Sequence, residues 1–519
     1  MTFRVTYATL SADNDELHAA FERGIEVART MLGQRHPSLV AGEAIDHDDA
    51  FTTTSPTDDR VAIGSFAIAA REDVHRAVAS ARAAFADWSE RPWQERCDVL
   101  DRGADLISER RNELSALLTI EVGKNRLEAL GDVEETADLI RYYTHQIREH
   151  DGFMQPMGRL NPAEHTSDVM RPYGVWGVIA PFNFPAALAG GPMGAALAAG
   201  NTCVLKPSEI GGLTSLHVAR ALWDGGVPGD VLHVVFGPGE TVGRALVADP
   251  GVDGLTFTGS HEVGMEIYRS FANAYPKPAI CEMGGKNPVV ITARADLDLA
   301  AEGTMRSAFG LTGQKCSAAS RAYVERAVYD DFAARLISRA EAVTVGDPLD
   351  RDVWMGPIID TDALARYEAA STQAADEGRI LTGGRRLRDG ALAHGNFVAP
   401  TVVEIPVSSD LWRTELFAPF LALMPVDSLD EALRRANDTA LGLTAGLYSA
   451  DQNEIDTFLG RIEAGVVYVN RRAGATTGAW PGVQPFGGWK GSGTGGKAGG
   501  GPYYVQQYLR EQSRTVVEG

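Results

Sequence analysis

Val175-Trp176-Gly177-Val178-Ile179-Ala180 is the stretch on which the reading of the fold turns. Its Val, Ile and Trp suit a buried, pleated strand, and an alternation begins there. A small-residue helix is expected over 186–199, then a strand over 201–205, a helix over 212–223, a strand over 231–236 and a helix over 241–248. A strand over 254–257, a helix over 263–274 and a strand over 279–282 continue the series. Strands and helices of these lengths build right-handed βαβ units and a mainly parallel sheet, whose ligands sit beyond the carboxyl ends of the strands.

Upstream, Leu17, Phe21, Ile25, Ala28 and Leu32 recur at helical spacing, so a helix is expected over 13–32 with Ser11 or Asp13 as its cap. Short strands and turns follow over 51–70, then helices over 72–88, 92–123, with Pro92 at the first helical position, and 127–150. Residues 152–171 turn irregular and polar, with Pro156, Gly158 and Pro162, and read as a protruding hairpin that leaves the domain and returns. A second α/β region spans 288–469, with helices over 297–309, 328–342, 361–377 and 429–437 and strands over 321–325, 397–403 and 465–469. The Tyr, Val and Thr of 503–517 make a terminal strand in need of a partner sheet, for which another subunit is one source.

The 519 residues suffice for roughly three domains of about 150 residues each. A net charge of -21 argues against a nucleic-acid partner, since phosphate contacts need clustered Lys and Arg. Cys97, Cys203, Cys281 and Cys316 form no Cys-x-x-Cys pair, so no disulfide framework or zinc site is expected and a cytoplasmic location fits best. Residues 1–10 carry one positive charge, Arg4, and no leader-like apolar core, and no later run reaches about 18 apolar residues, so a soluble protein is expected. Asp46-His47-Asp48-Asp49 reads as a solvated turn, because adjacent ligands lack metal-site spacing. Gly491-Ser492-Gly493-Thr494-Gly495-Gly496-Lys497-Ala498 has the intervals of a P-loop, but Ala498 lacks the magnesium-binding hydroxyl.

Several motifs can carry chemistry. In Gly313-Gln314-Lys315-Cys316-Ser317-Ala318-Ala319-Ser320-Arg321, Cys316 is either a nucleophile or a small buried apolar residue. A nucleophile would need its thiolate stabilised, and Lys315 is a candidate cation. Glu282, leading Glu282-Met283-Gly284-Gly285-Lys286, is either a general base or a salt-bridged structural carboxylate. Asn183 can offer an amide to an oxyanion or shape a turn. Lys206-Pro207-Ser208-Glu209 ends a strand where a ribose can lie, or is a solvated charge pair; Glu209 there would repel a 2′-phosphate and favour NAD. Gly237-Pro238-Gly239-Glu240-Thr241-Val242-Gly243 and Gly259-Ser260-His261-Glu262-Val263-Gly264 are cofactor loops or ordinary tight turns, since neither matches G-x-G-x-x-G.

Pro181-Phe182-Asn183-Phe184-Pro185, Lys206-Pro207-Ser208-Glu209, Phe257-Thr258-Gly259-Ser260, Glu282-Met283-Gly284-Gly285-Lys286 and Gly313-Gln314-Lys315-Cys316 occur in the order seen in the aldehyde dehydrogenase superfamily. The chain resembles that superfamily from about residue 51 to 507. Within it, Cys316-Ser317-Ala318-Ala319-Ser320-Arg321, the segment 470–488 with Gln484-Pro485-Phe486-Gly487-Gly488, and Ser492-Gly493-Thr494 with Lys497-Ala498-Gly499 look most like the Δ1-pyrroline-5-carboxylate dehydrogenase branch.

The resemblance implies an α/β fold in three parts: a Rossmann-like NAD domain (1–151 and 172–284), a catalytic domain (285–488) and a β-flap for homo-oligomerisation (152–171 and 489–519). It implies oxidation of L-glutamate γ-semialdehyde to L-glutamate, with Cys316 as nucleophile, Asn183 and the Cys316 N–H at the oxyanion, and Glu282 activating water. Lys206 and Glu209 would hold the adenosine ribose, Gly259 and Ser260 the pyrophosphate, and Glu415 with Phe417 the nicotinamide half; Ser208, Gly237, Gly243 and Val263 complete the cofactor set. Ser317 and the Gly478-Ala479 backbone would bind the substrate carboxylate, with Lys315 and Phe486 nearby. Two alternatives remain: an NAD(P)-dependent enzyme for another carboxylated semialdehyde, and a catalytically idle structural relative that keeps the fold. Ala418 stands where the superfamily usually has glycine, and Ala473-Gly474-Ala475-Thr476 lengthens the carboxylate-anchor loop.

Overall fold

The computed structural model describes residues 14–472 and 479–518. The run 175–282 forms five parallel strands, lying side by side as Ala279–Glu282, Gly254–Thr258, Val175–Ile179, Thr202–Lys206 and Leu232–Val234. Val175–Ile179 comes first in the chain yet lies in the middle, so the strand order reverses between it and Gly254–Thr258. A crevice opens beyond the strand ends at such a reversal. Ser38–Val40 and Glu43–Ile45 extend the sheet antiparallel at the far edge.

Helix Ala187–Ala199 lies against helix Arg126–Glu149 on one face. Its small residues set the distance: a Cβ on Gly191 would come 2.9 Å from Leu139, and one on Gly194 2.8 Å from Ile140. Ridges of the long helix therefore sink into a nearly bare helix surface. The other face is covered by Val74, Ala77, Val78 and Ala81 of helix Arg71–Glu90 and by Ile267 and Phe271 of helix His261–Phe271.

A second seven-stranded sheet runs Arg379–Thr382, Thr401–Glu404, Phe420–Val426, Ala319–Glu325, Asn287–Ile291, Thr444–Tyr448, Val466–Val469. All its pairings are parallel except that of the first strand. Four of these strands, Arg379–Thr382, Phe420–Val426, Asn287–Ile291 and Thr444–Tyr448, were not expected, nor was helix Gln452–Arg461. Strands buried on both faces lose the alternation that marks a strand in sequence, and Pro288 and Pro425 argue locally against one. Pro288 is tolerated where the register shifts beside Asn287.

Smaller differences have local causes. Asn14 caps the first helix, accepting from the N–H of Leu17 at 3.1 Å, in place of Ser11 or Asp13. The helix expected over 92–123 is two, Trp93–Glu109 and Arg111–Val122, broken where Arg110 leaves helical geometry (ψ 12°), and Pro92 stands outside the first as its cap residue.

The excursion forms strands Met154–Pro156 and Glu164–Pro172, and Leu509–Val517 pairs antiparallel with the latter from Leu509↔Pro172 to Val517↔Glu164. The terminal strand thus finds its partner sheet in its own chain. Of 489–519, that strand alone joins the flap sheet; Tyr504, Val505 and Tyr508 are buried in the core beside Trp176. The glycine-rich 491–497 stretch is a brace: Ser492 Oγ donates to the carbonyl of Gly284 at 2.7 Å and accepts from the N–H of Gly442 at 3.0 Å. Among the described residues, no helix is long and apolar enough to cross a membrane.

Candidate active site

Cys316 follows a kinked turn, Gly310–Gly313, in which Leu311 and Thr312 take left-handed backbone angles (φ 49° and 56°). Non-glycine residues held there cost about 1–3 kcal/mol each and persist where the surroundings over-determine them. The N–H of Leu311 donates to Glu128 Oε1 at 2.8 Å, Thr312 Oγ1 donates to the Gly356 carbonyl at 3.0 Å, and Gln314 Oε1 accepts from the N–H of Ile359 at 2.8 Å. Gly313 has φ 67°, and a side chain there would collide with the carbonyl of Ala418.

Cys316 is partly exposed, whereas the other three cysteines are buried. Burial within the site raises its thiol pKa, the carboxylates of Glu415 and Glu282 raise it further, and the N–H groups of Ser317 and Cys316 oppose them. The cation expected from Lys315 is spent elsewhere: its ammonium pairs with Glu128 at 3.1 Å. Backbone N–H groups are therefore what favours the thiolate here.

Asn183 sits between strand Val175–Ile179 and helix Ala187–Ala199, is 5% exposed, and donates from Nδ2 to the Gln314 carbonyl at 3.0 Å. The amide is thus tied to the loop that carries the thiol. Glu282 ends its strand, and burial pushes it up to about 8 against one opposing N–H, that of Gly488. Its Oε2 is buried without a hydrogen-bond partner among the described residues. A carboxyl with an unspent oxygen and a pKa near working pH can move a proton.

Glu415 accepts from the N–H of Gly285 at 2.8 Å, and burial raises it to about 7 against the opposing charge of Lys286. A side chain on Gly284 would collide with this carboxylate. Phe417 holds φ 56° and meets Phe182 edge-on at 5.8 Å. Lys286, which the sequence reading left without a role, is buried and lowered to about 7 by desolvation and by repulsion from Arg321.

The expected cofactor residues line the carboxyl edge of the first sheet. Lys206 is buried and pairs with Glu209 at 3.2 Å, and the other Glu209 oxygen accepts from the N–H of Gly239 at 2.9 Å. Ser208 is half-buried beside them. Gly237 takes φ 146°, where a side chain would collide with Val242, and Gly243 closes the same turn. Gly259 donates to the Glu282 carbonyl at 3.1 Å, linking this edge to the base. Ser260 caps helix His261–Phe271, accepting from the N–H of Val263, whose side chain is exposed. A crevice edge with a buried lysine, a carboxylate and a helix N-terminus suits a dinucleotide.

On the substrate side, Lys315 and Ser317 flank Cys316 and are buried. Gly478 lies, with the rest of 473–478, outside the described residues. Ala479 is buried next to Trp480, whose indole N–H donates to Asp138 Oδ2 at 2.9 Å, and Phe486 pairs its backbone with Gly499. Sequence reasoning missed Glu128 and, four residues to either side of it, the buried pair of Lys124 and Asp132. Glu128 and Asp132, four apart on one helix, were the available signal.

Residues 44–514 match the profile of the aldehyde dehydrogenase family. The chain belongs to the aldehyde dehydrogenase family. Among aldehyde dehydrogenases, it is 36% identical over 511 residues to a 1-pyrroline-5-carboxylate dehydrogenase of Geobacillus thermodenitrificans, covering 97% of each chain. It is 37% identical over 510 residues to one of Bacillus pumilus, again covering 97% of each. The crystal structure of a Thermus 1-pyrroline-5-carboxylate dehydrogenase with bound NAD superposes with a TM-score of 0.94 at 33% identity, over 100% of both chains. These likenesses and the site geometry concern the same residues: the aldehyde dehydrogenase profile spans every described group named above from Glu128 to Phe486.

Proposed function

We propose that the chain oxidises L-glutamate γ-semialdehyde, the open form of Δ1-pyrroline-5-carboxylate, to L-glutamate with NAD. The observation that carries the reading is the grouping of Cys316, the Asn183 amide bonded to its loop, and Glu282 held near pH 8. Cys316 Sγ bonds to the aldehyde carbon as its proton leaves, and the Asn183 amide and Cys316 N–H stabilise the resulting oxyanion. Lys206, Ser208 and Glu209, Gly237, Gly243, Gly259, Ser260 and Val263, and Glu415 with Phe417 would hold NAD, which when bound would accept the hydride leaving the aldehyde carbon, so that the adduct on Cys316 becomes a thioester. Glu282 then takes a proton from the water that attacks the thioester carbon, and the carbon–sulfur bond breaks to release carboxylate and thiol.

Ser317 and the Gly478-Ala479 backbone receive the substrate's α-carboxylate, with Lys315 and Phe486 beside it, so the site favours an aldehyde that carries that group. Residues 1–151 and 172–284 serve as the NAD domain, 285–488 as the catalytic domain, and the flap, built from 152–171 and the terminal strand, as a homo-oligomer contact. The exposed Met154, Met157, Val516 and Val517 support that use of the flap. A cytoplasmic location accords with cysteines that form no disulfide. The test is NADH formation with Δ1-pyrroline-5-carboxylate beside aliphatic and dicarboxylic semialdehydes. Preference for an aldehyde without the α-amino acid group overturns the substrate assignment.

A further inference from the structure

Helix Arg126–Glu149 holds several segments around the site from different turns. Its cap, Asn125, donates to the Trp354 carbonyl at 2.7 Å, and Glu128 holds Leu311 and Lys315 of the nucleophile loop. Further along, Asp138 takes the Trp480 indole N–H, and the Tyr143 hydroxyl takes the N–H of Gly500 at 3.0 Å. Between these, Asp132 Oδ2 pairs with Lys124 Nζ at 2.9 Å, both side chains being 0% exposed.

A fully buried ion pair is a poor stabiliser, because desolvating two charges offsets most of their attraction; an apolar replacement is often as stable. Burial works against both charges here, lowering Lys124 and raising Asp132, while their pairing opposes it. What the pair does grip is the segment that carries Asn183. The Lys124 ammonium stands 3.5 Å from the centroid of the Phe184 ring, a close cation–π contact. The second oxygen of Asp132 accepts from the N–H of Ala187 at 2.9 Å, where that segment enters its helix. Asn183, next to Phe184, is held from the other side by the Gln314 carbonyl.

We propose that Lys124 and Asp132 are positioning residues for the reaction: they fix Phe184 and Ala187 on the helix that also holds the nucleophile loop, and so set the Asn183 amide against Cys316. The proposal rests on the reading of Asn183 as the oxyanion donor. A misplacement of about 1 Å costs on the order of a hundredfold in rate. Removing an oxyanion donor costs about a hundred- to a thousandfold.

The test uses the full-length enzyme. D132N/K124M removes both charges together, so no lone buried charge remains. It is expected to keep a KM for NAD within about twofold and the wild-type rate of Cys316 alkylation by iodoacetamide, while kcat falls about ten- to a hundredfold. K124M and F184L break the same contact, so F184L/K124M is expected to lose no more kcat than the worse single variant. K124R, which keeps a cation over the ring, is expected to retain more kcat than K124M. Wild-type kcat in folded D132N/K124M, or additive losses in the F184L and K124M cycle, overturns the proposal. If D132N/K124M fails to fold, F184L decides, because it leaves the ion pair intact: wild-type kcat in F184L overturns the proposal equally. N183A separates the two levels: undiminished kcat in N183A refutes the oxyanion reading itself, whereas a large loss there with no loss in D132N/K124M refutes the positioning role alone.

Discussion

Glu282 should make the protein pay in stability for its base, and the pH dependence of that cost can be worked out. Burial moves the carboxyl from its ordinary 4.5 to about 8. The unfolded chain therefore releases this proton first, and the folded state loses stability as pH climbs from about 4.5 to about 8. At roughly 1.4 kcal/mol per pH unit, the loss is about 2 kcal/mol at pH 6, about 3 at pH 7 and about 5 above pH 8. These are upper values, because the residue is only partly buried from solvent. Glu282→Gln keeps the shape and removes the ionisation, so it should match wild type below pH 5 and exceed it increasingly up to pH 8. Urea unfolding midpoints of both proteins across pH 5 to 9 measure the difference directly. A difference that stays constant with pH, or that favours wild type at pH 8, refutes the assignment of the raised pKa to Glu282. The same variant should have lost thioester hydrolysis, so stability and turnover are expected to move in opposite directions.

Two further outcomes follow from the site. Because burial and two neighbouring carboxylates raise the Cys316 thiol, its alkylation by iodoacetamide in the absence of cofactor should rise about tenfold per pH unit from pH 7 to 9; a plateau below pH 8 contradicts this. Glu209→Gln removes the carboxylate beside the expected ribose site, so the kcat/KM ratio of NADP to NAD should rise about tenfold or more, and an unchanged ratio shows that Glu209 does not discriminate.

The first sheet was legible in the sequence because its strands are separated by helices of ordinary length and punctuated by Gly and Pro. Val175–Ile179, Thr202–Lys206 and Ala279–Glu282 lie within a residue or two of their expected limits. The second sheet was read only in outline. Asn287–Ile291 and Thr444–Tyr448 are five residues each and buried throughout, so neither length nor periodicity distinguishes them from a helix fragment. At the candidate site, Cys316, Glu282 and Asn183 were singled out through motif order. The electrostatics could not be found that way: Lys315 looked like a free cation beside the thiol, because Glu128, which occupies it, lies 187 positions away. Lys124, between two helices, and Asp132, on the second of them, were likewise unremarkable in the sequence until the segment leading into helix Ala187–Ala199 packed against them.

The pairing of Leu509–Val517 with Glu164–Pro172 also sets an order of events at the ribosome. The hairpin strand emerges well before the strand that covers its edge, with the parallel strands of both large sheets encoded between the two. Throughout that interval the nascent chain carries an open β-edge, a template for pairing with a neighbouring nascent chain. Arg171, Asp168 and His165 along that strand, and Pro156 on the neighbouring one, are the kind of charged and proline positions that discourage such pairing while the chain waits.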